Sequence, residues 1–274
     1  MWPGWAVGAK RDCYAWRFVG TAASFTLFGL VGMILGVVAF PLLRLVPLPA
    51  GRRAQIGRVL VSSCFHSFIE FMRRIGVLTY EFRGTEGLGR RGQLVLANHP
   101  SLIDVVFLIG FSGEPGCVVK RALWGNPFTA GVVSTAGYVP NAPTDAMIEG
   151  ASAALEAGQT VIMFPEGTRT TPGQPIRFHR GAASVALRAA RFVTPVYITV
   201  QPTTLTKDTA WYRIPPRRPH WCLVVGEDIE LTAFREGHPL PIASRALNDY
   251  LIGHFRTRSP GGAGVSGDRP RSLV

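Results

Sequence analysis

Two polar segments each follow a short, mostly apolar run, and this arrangement constrains the fold more than any other feature of the chain. Residues 98–104 read Asn-His-Pro-Ser-Leu-Ile-Asp and follow the run at 93–97. Residues 164–170 read Phe-Pro-Glu-Gly-Thr-Arg-Thr and follow the run at 160–163. Such short runs are typical of buried strands. Because an α/β sheet opens its crevice at the carboxyl ends of its strands, both segments are expected to line one site.

The first segment contains a histidine and a carboxylate that can act together. A helix that begins near residues 101–102 would place Asp104 in its first turn, where the side chain can point back toward His99. A carboxylate on one imidazole nitrogen fixes the tautomer, and the other nitrogen can then take a proton from an alcohol. An alternative stays open, in which His99 packs a helix start and Asp104 is an ordinary first-turn acid favoured by the helix dipole.

The second segment offers an anion-binding side chain on a turn. Pro165 and Gly167 shape the turn, and Glu166 and Arg169 project from it. Arginine suits a phosphate or a carboxylate because its planar fork makes paired hydrogen bonds. The alternative is that Glu166 and Arg169 form an ion pair that only decorates the turn.

Taken together, in this order and at this spacing, the two segments resemble the signatures of the 1-acyl-sn-glycerol-3-phosphate acyltransferases, a lysophospholipid acyltransferase family. Its first pattern, NHxSxxD, is met at every specified position by residues 98–104. Residues 118–124 and 126–131 are similar to the lysine-rich segment and the Pro-Phe-x-x-Gly turn of the family. On these markers the resemblance covers residues 78–230.

The resemblance implies an α/β fold with a mixed, mostly parallel sheet flanked by helices. It implies transfer of a fatty acyl group from acyl-ACP or acyl-CoA to the hydroxyl of a lysolipid, most simply 1-acyl-sn-glycerol-3-phosphate. No metal and no cofactor beyond this thioester cosubstrate is expected. His99 is then the general base and Asp104 orients it. Acceptor binding falls to Glu166, Gly167, Thr168, Arg169, Lys120 and Arg121, with Asn98 and Ser101 in support.

One departure from the family pattern bears on the acceptor. Many members carry Asp-Arg where this chain has Asn141-Ala142-Pro143, so an arginine assigned to the phosphate is missing. Phosphate binding would then rest on Arg169, Lys120 and Arg121, with Arg177 or Arg180 as further candidates. The alternatives are a different acceptor, such as a lyso-ornithine or polyene-linked lipid, or a non-catalytic membrane-binding relative. A lipid hydrolase is a third, although no Gly-x-Ser-x-Gly elbow is present for a serine nucleophile.

Charge and composition favour an anionic, membrane-bound partner. The formal net charge is +12 and 47% of the residues are hydrophobic. A basic protein attracts anions. Since no nucleic-acid module is recognisable, we expect an anionic membrane surface or an acidic acyl carrier and no nucleic acid. The four cysteines are scattered without metal or disulfide spacing, which favours a cytoplasm-facing catalytic domain on the inner membrane.

The chain divides into five predicted segments. After residues 1–17, a run without charged residues at 18–43 predicts a membrane helix at 18–45, either spanning the bilayer or dipping into one leaflet. Residues 46–77 are predicted as an amphipathic, membrane-proximal helix, with core packing as the alternative. An acyltransferase domain follows at 78–257, and 258–274 is predicted as a disordered tail. The expected apolar stripe of the amphipathic helix is Ile56, Leu60, Cys64, Phe68, Phe71 and Ile75.

Within the predicted domain, strands alternate with helices, which is typical of α/β proteins. The expected strands lie near 78–84, 93–97, 116–119, 137–139, 160–163, 194–200 and 221–226. The expected helices lie near 102–110, 145–157, 180–191 and 241–256.

Overall fold

A mostly parallel sheet forms the centre of the protein. The computed structural model describes residues 13–171, 174–207 and 209–258. Its strands are β1 Thr79–Arg83, β2 Gln93–Ala97, β3 Gly116–Val119, β4 Val139–Pro140, β5 Val161–Met163, β6 Phe192–Gln201 and β7 His220–Val225. In these residues seven strands form one sheet in the order β1-β7-β6-β2-β5-β3-β4. Every neighbouring pair is parallel except β6 with β7.

Helices cover both faces of this sheet, so the predicted fold class is confirmed. Alternate residues of β2 face opposite sides, as the pleat of a strand requires. Leu94 and Leu96 face one apolar cluster, and Val95 and Ala97 face the other. The helices that follow β1 in the chain are α4 Asp104–Phe111, α5 Ala130–Thr135, α6 Thr144–Glu156, α7 Gly181–Ala189, α8 Thr232–Arg235 and α9 Leu240–Arg258.

The predicted strands and long helices are found close to their expected positions, but short helices were missed. Residues 121–125 form a 3₁₀ turn, and α5 and α8 have no counterpart among the predicted helices. Each is only one or two turns long, so it shows too little of the helical period to be recognised.

The N-terminal apolar helix lies against the α/β domain. It comprises α1 Tyr14–Ile34, a π-helical stretch Leu35–Ala39 and α2 Phe40–Leu45. By length and composition, residues 14–45 could cross a membrane, and only 6% of their most apolar window is buried. A Cβ added to Gly131 would lie 2.8 Å from Gly36 Cα, so the two backbones touch. Whether this helix spans the bilayer stays a prediction.

The next helix, α3 Ala50–Arg74, buries a face that overlaps the predicted one only in part. Its buried apolar residues are Val61, Phe68, Ile69 and Met72, whereas Leu60 is 37% exposed. Of the predicted stripe, Phe68 is buried, Leu60 is exposed, and Ile56, Cys64, Phe71 and Ile75 are half-buried, so the buried face is rotated from the predicted one but overlaps it. The physical reason is that α3 packs both on α1 and on α4, where a Cβ at Gly110 would lie 2.8 Å from His66 N. Residues 1–12 and the predicted tail from residue 259 onward lie outside the described residues.

Candidate active site

The polar segments meet at one edge of the sheet. Because β2, β3, β4, β5 and β6 are parallel to their neighbours in this set, their carboxyl ends point the same way. The segments that leave these ends are 98–104, 120–121, 141–142, 164–170 and the loop that begins at residue 202. Sequence reasoning expected two walls of one site, and the structure brings both to this edge.

His99 and Asp104 are in direct contact. His99 Nδ1 lies 3.0 Å from Asp104 Oδ2. The helix α4 begins at Asp104, which is completely buried, while the His99 side chain is 15% exposed. The His99 ring stacks on Phe164 of the second segment, with 4.2 Å between ring centroids. The imidazole is therefore held on one side by a carboxylate and on one face by an aromatic ring.

Three donors surround the Asp104 carboxylate, and the His99 imidazole described above is the first. The Ser101 N–H donates to Oδ2 at 2.6 Å, and the Trp221 indole N–H donates to Oδ1 at 3.1 Å. Burial raises the pKa of Asp104, and the contacts with His99, Ser101 and Trp221 act against this rise. The arrangement therefore stabilises a carboxylate that can fix the tautomer of His99.

Glu166 braces the backbone of the first segment. Its Oε1 accepts a hydrogen bond from the His99 N–H at 3.0 Å and another from the Thr170 hydroxyl at 2.7 Å. Thr170 N–H in turn donates to the His99 carbonyl at 2.7 Å. Burial raises the pKa of Glu166, and these hydrogen bonds oppose the rise. The two segments are thus joined by their own polar groups.

The turn of the second segment requires glycine at its tip. Gly167 has φ +65°, and a Cβ there would lie 3.0 Å from the His179 ring. Thr168, next in the chain, is half-buried. These two residues and Glu166 were predicted to bind the acceptor, which stays a prediction.

Asn98 fastens the end of β2 to β6. Its Nδ2 donates to the Ile198 carbonyl and its Oδ1 accepts from the Ile198 N–H, both at 2.8 Å. Asn98 and Ser101 are both buried. Each lies where a supporting residue is expected, one holding the strand end and the other the carboxylate.

Arg169 does not pair with Glu166, so that alternative was wrong. Its guanidinium donates to the carbonyls of Leu205 at 2.9 Å, Thr206 at 2.7 Å and Lys207 at 3.3 Å. These bonds use three of the five N–H groups of a guanidinium, which leaves two for an acceptor anion. Acceptor binding by Arg169 stays a prediction.

Arg121 lies beside the stretch in which the family arginine is missing. The backbone N–H of Arg121 donates to Asn141 Oδ1 at 3.2 Å, and the guanidinium Nη1 donates to the Ala142 carbonyl at 3.4 Å. Lys120 precedes it at the end of β3, and both side chains are exposed. A cation from the turn that follows β3 is thus placed next to Asn141 and Ala142.

Trp221 is a site residue that sequence reasoning missed. It lies in β7, opposite Val200 of β6. Because β7 runs antiparallel to β6, the beginning of β7 reaches the edge where β6 ends. No local pattern reveals this, since the contact with Asp104 depends on the direction of a strand far along the chain.

Replacing Trp221 by phenylalanine should lower kcat and leave the KM for the acceptor unchanged. Phenylalanine fills most of the buried site but cannot donate to Asp104, so the carboxylate loses one of its three donors. A hydrogen bond to a charged group is worth about 1.5–3 kcal/mol, so we expect a loss of about 10-fold or more. Initial rates in detergent measure this.

The matched control is Trp16→Phe, which also loses an indole hydrogen bond, but one to the Ile75 carbonyl and not to Asp104. If both variants keep the wild-type kcat, Trp221 has no part in positioning Asp104.

In the described part of the chain, no group of three or more His, Cys, Asp or Glu side chains is arranged to hold a metal ion.

Comparison with known proteins connects this geometry with acyl transfer. A family model described as Acyltransferase matches residues 79–199. The 1-acyl-sn-glycerol-3-phosphate acyltransferase of Pseudomonas aeruginosa is 26% identical over 184 residues, which cover 65% of this chain and 70% of that protein. The enzyme of the same name from Limnanthes alba is 28% identical over 144 residues, half of each chain. That of Saccharomyces cerevisiae is 24% identical over 157 residues, 54% of this chain and 50% of that protein.

This chain thus spans about half the length of the plant and yeast relatives. Among solved structures, the 1-acyl-sn-glycerophosphate acyltransferase PlsC from Thermotoga maritima is similar, with a TM-score of 0.61 and 18% identity. The likeness covers 88% of this chain and 98% of that one, and at this identity it shows the fold.

Proposed function

We propose that the chain belongs to the acyltransferase family, whose model matches residues 79–199, and that it acylates the free hydroxyl of 1-acyl-sn-glycerol-3-phosphate. The acyl donor is a thioester, either acyl-ACP or acyl-CoA. The observation that carries the proposal is the contact between His99 and the buried Asp104 at the edge shared with the second segment. The names of the relatives support the choice of acceptor.

In this mechanism the substrate hydroxyl is the nucleophile. His99 Nε2 takes the hydroxyl proton, while the Nδ1–H of His99 stays hydrogen-bonded to the Asp104 carboxylate. The carboxylate stabilises the imidazolium that forms. The oxygen attacks the thioester carbonyl and gives a tetrahedral oxyanion. When that intermediate collapses, the carbon–sulfur bond breaks, and the thiolate leaves and takes the proton from His99. An ester and a free thiol result, and the histidine returns to its starting state.

We place the anionic group of the acceptor near the carboxyl ends of β3, β4 and β5. Lys120 and Arg121 supply cations from one side and Arg169 from the other, with Glu166, Gly167 and Thr168 shaping the turn between them. The position of Arg121 beside Ala142 supports a substitute for the missing family arginine. A rewired phosphate site therefore fits better than a lost one.

Replacing Arg121 by glutamine should raise the KM for a phosphate-bearing acceptor and leave kcat nearly unchanged. The side chain is exposed, so solvent screens its charge, and we expect a change of about 5-fold. A neutral acceptor such as a monoacylglycerol should show no change.

The matched control for Arg121→Gln is Arg188→Gln, an exposed arginine near the end of α7, which leads to the opposite edge of the sheet. An equal rise in KM for neutral and anionic acceptors would show that Arg121 does not bind the anion.

We further propose that the protein works on an anionic membrane surface, with its catalytic domain on the cytoplasmic side. The apolar helix at residues 14–45 and the net charge of +12 support this placement. Charge of this sign also favours an acidic acyl carrier as donor. No nucleic acid partner is proposed.

The deciding experiment offers purified protein a labelled acyl-CoA or acyl-ACP together with a panel of lysolipids. Formation of phosphatidic acid from 1-acyl-sn-glycerol-3-phosphate supports the proposal. Acylation of another lysolipid, such as a lyso-ornithine lipid, would replace the acceptor but keep the reaction. Release of free fatty acid without an ester product indicates hydrolysis, and absence of any turnover indicates a non-catalytic relative.

A further inference from the structure

One loop connects the site edge to the apolar helix. This loop, which we call the strap, comprises residues 202–207 and 209–219 between β6 and β7. Near its start, the Leu205 carbonyl accepts a hydrogen bond from the Leu102 N–H of the first segment at 3.0 Å. The same carbonyl accepts a bond from Arg169 of the second segment at 2.9 Å. The strap is therefore attached directly to both catalytic segments.

The far end of the strap is attached to α1. The buried Arg17 donates to the Pro215 carbonyl at 3.0 Å and to the Pro216 carbonyl at 2.7 Å. The Trp211 ring lies 5.8 Å from that of Phe25, two turns further along α1. The strap and the start of α1 thus share one surface of the protein.

Four large aromatic side chains project from this surface. Trp211 and Tyr212 of the strap are 43% and 50% exposed, and Tyr14 and Trp16 of α1 are 49% and 53% exposed. We call these four residues the aromatic rim. Tryptophan and tyrosine combine an apolar ring with a polar group, and they are enriched where a protein passes from the hydrocarbon to the headgroups of a bilayer.

The surroundings of the rim change in polarity as a bilayer does. Beyond it along α1 and the π-helical stretch, the large exposed side chains are apolar, namely Leu27, Leu30, Met33, Ile34, Val37 and Val38. Beside it in the strap, Arg213 and Arg217 are exposed. Apolar, aromatic and cationic side chains therefore follow one another, which matches hydrocarbon, interface and anionic headgroups.

We propose that the aromatic rim is a membrane-contact surface that inserts into the headgroup region of an anionic bilayer. Because the strap is bonded to Leu102 and Arg169, this contact holds the site edge at the depth where a lysolipid presents its hydroxyl. The proposal rests on the proposed function only in that the acceptor is a membrane lipid.

Fluorescence quenching tests the contact without any assay of activity. Full-length protein is reconstituted into vesicles of phosphatidylglycerol and phosphatidylcholine that carry bromine on acyl carbons close to the headgroup. Wild-type tryptophan emission should be quenched, and Trp211→Phe should lose a measurable part of that quenching. Trp221→Phe is the control, because Trp221 is buried and lies beyond direct contact with lipid. Equal quenching of the wild type and Trp211→Phe would overturn the proposal.

A double variant tests the consequence for turnover. Trp211→Ala with Tyr212→Ala should lose about 10-fold in activity on acceptor supplied in vesicles, since two half-exposed rings no longer enter the membrane. In detergent micelles it should keep the wild-type kcat. An equal loss in both media would show that the rings only support the fold of the strap, and a changed oligomeric state with unchanged vesicle activity would show a protein interface. Either result overturns the proposal. Absence of turnover in the wild type would instead count against the proposed function, and the quenching experiment would then decide whether the aromatic rim contacts the membrane.

Discussion

Replacing His99 by alanine is expected to lower acyl transfer by about 10²–10⁴-fold, the usual contribution of a positioned general base. The alcohol then has no side chain to take its proton as the thioester carbonyl is attacked. The fold should survive, since the imidazole lies at a strand end, is 15% exposed and packs on Phe164 from one face. Steady-state rates with a labelled donor measure the loss, and circular dichroism with thermal melting checks the fold.

The matched control for His99→Ala is His238→Ala, because His238 is exposed and lies outside the site edge. This control should retain wild-type rates. A His99→Ala protein that folds and turns over at nearly the wild-type rate would refute the role of His99 as base.

Replacing Asp104 by asparagine should lower kcat by about 10²–10⁴-fold, comparable with the loss of other carboxylates that orient a catalytic histidine. Asparagine has almost the same shape but only one acceptor oxygen. In the wild type, Asp104 Oδ2 accepts from both His99 and Ser101, and Oδ1 accepts from Trp221. In the variant an amide NH₂ replaces one of these oxygens and faces a donor in place of an acceptor. The histidine then adopts the wrong tautomer or swings away from the hydroxyl.

Thermal melts across pH separate this chemical effect from a structural one. Burial raises the pKa of Asp104 above its unfolded value, so its contribution to stability is fully present below the unfolded pKa and is lost as pH rises through the folded pKa. Asparagine does not titrate, so this part of the pH dependence of Tm should disappear. A variant that folds with a kcat within about 2-fold of the wild type would contradict the orienting role, because the expected loss is far larger.

The sequence by itself determined the fold class and the family. Apolar runs followed by polar turns placed β2 and β5, and the two motifs with their spacing predicted an acyltransferase, in agreement with the family model that matches residues 79–199. The long apolar run likewise predicted a helix at 18–45, which the structure has at 14–45. These features depend on residues close together in the chain, where hydrophobic period and turn chemistry are legible.

The tertiary structure alone decided which side chains complete the site. Trp221 reaches Asp104 because β7 is antiparallel to β6, and Arg169 donates to the strap because the loop after β6 crosses the second segment. Arg121 lies at Ala142 because β3 pairs with β4. Each contact joins residues distant in sequence, so it depends on the order and direction of strands. The hydrophobic periodicity of a helix such as α3 shows that one face is buried. It does not show which neighbour covers that face, because burial is set by the packing of whole elements.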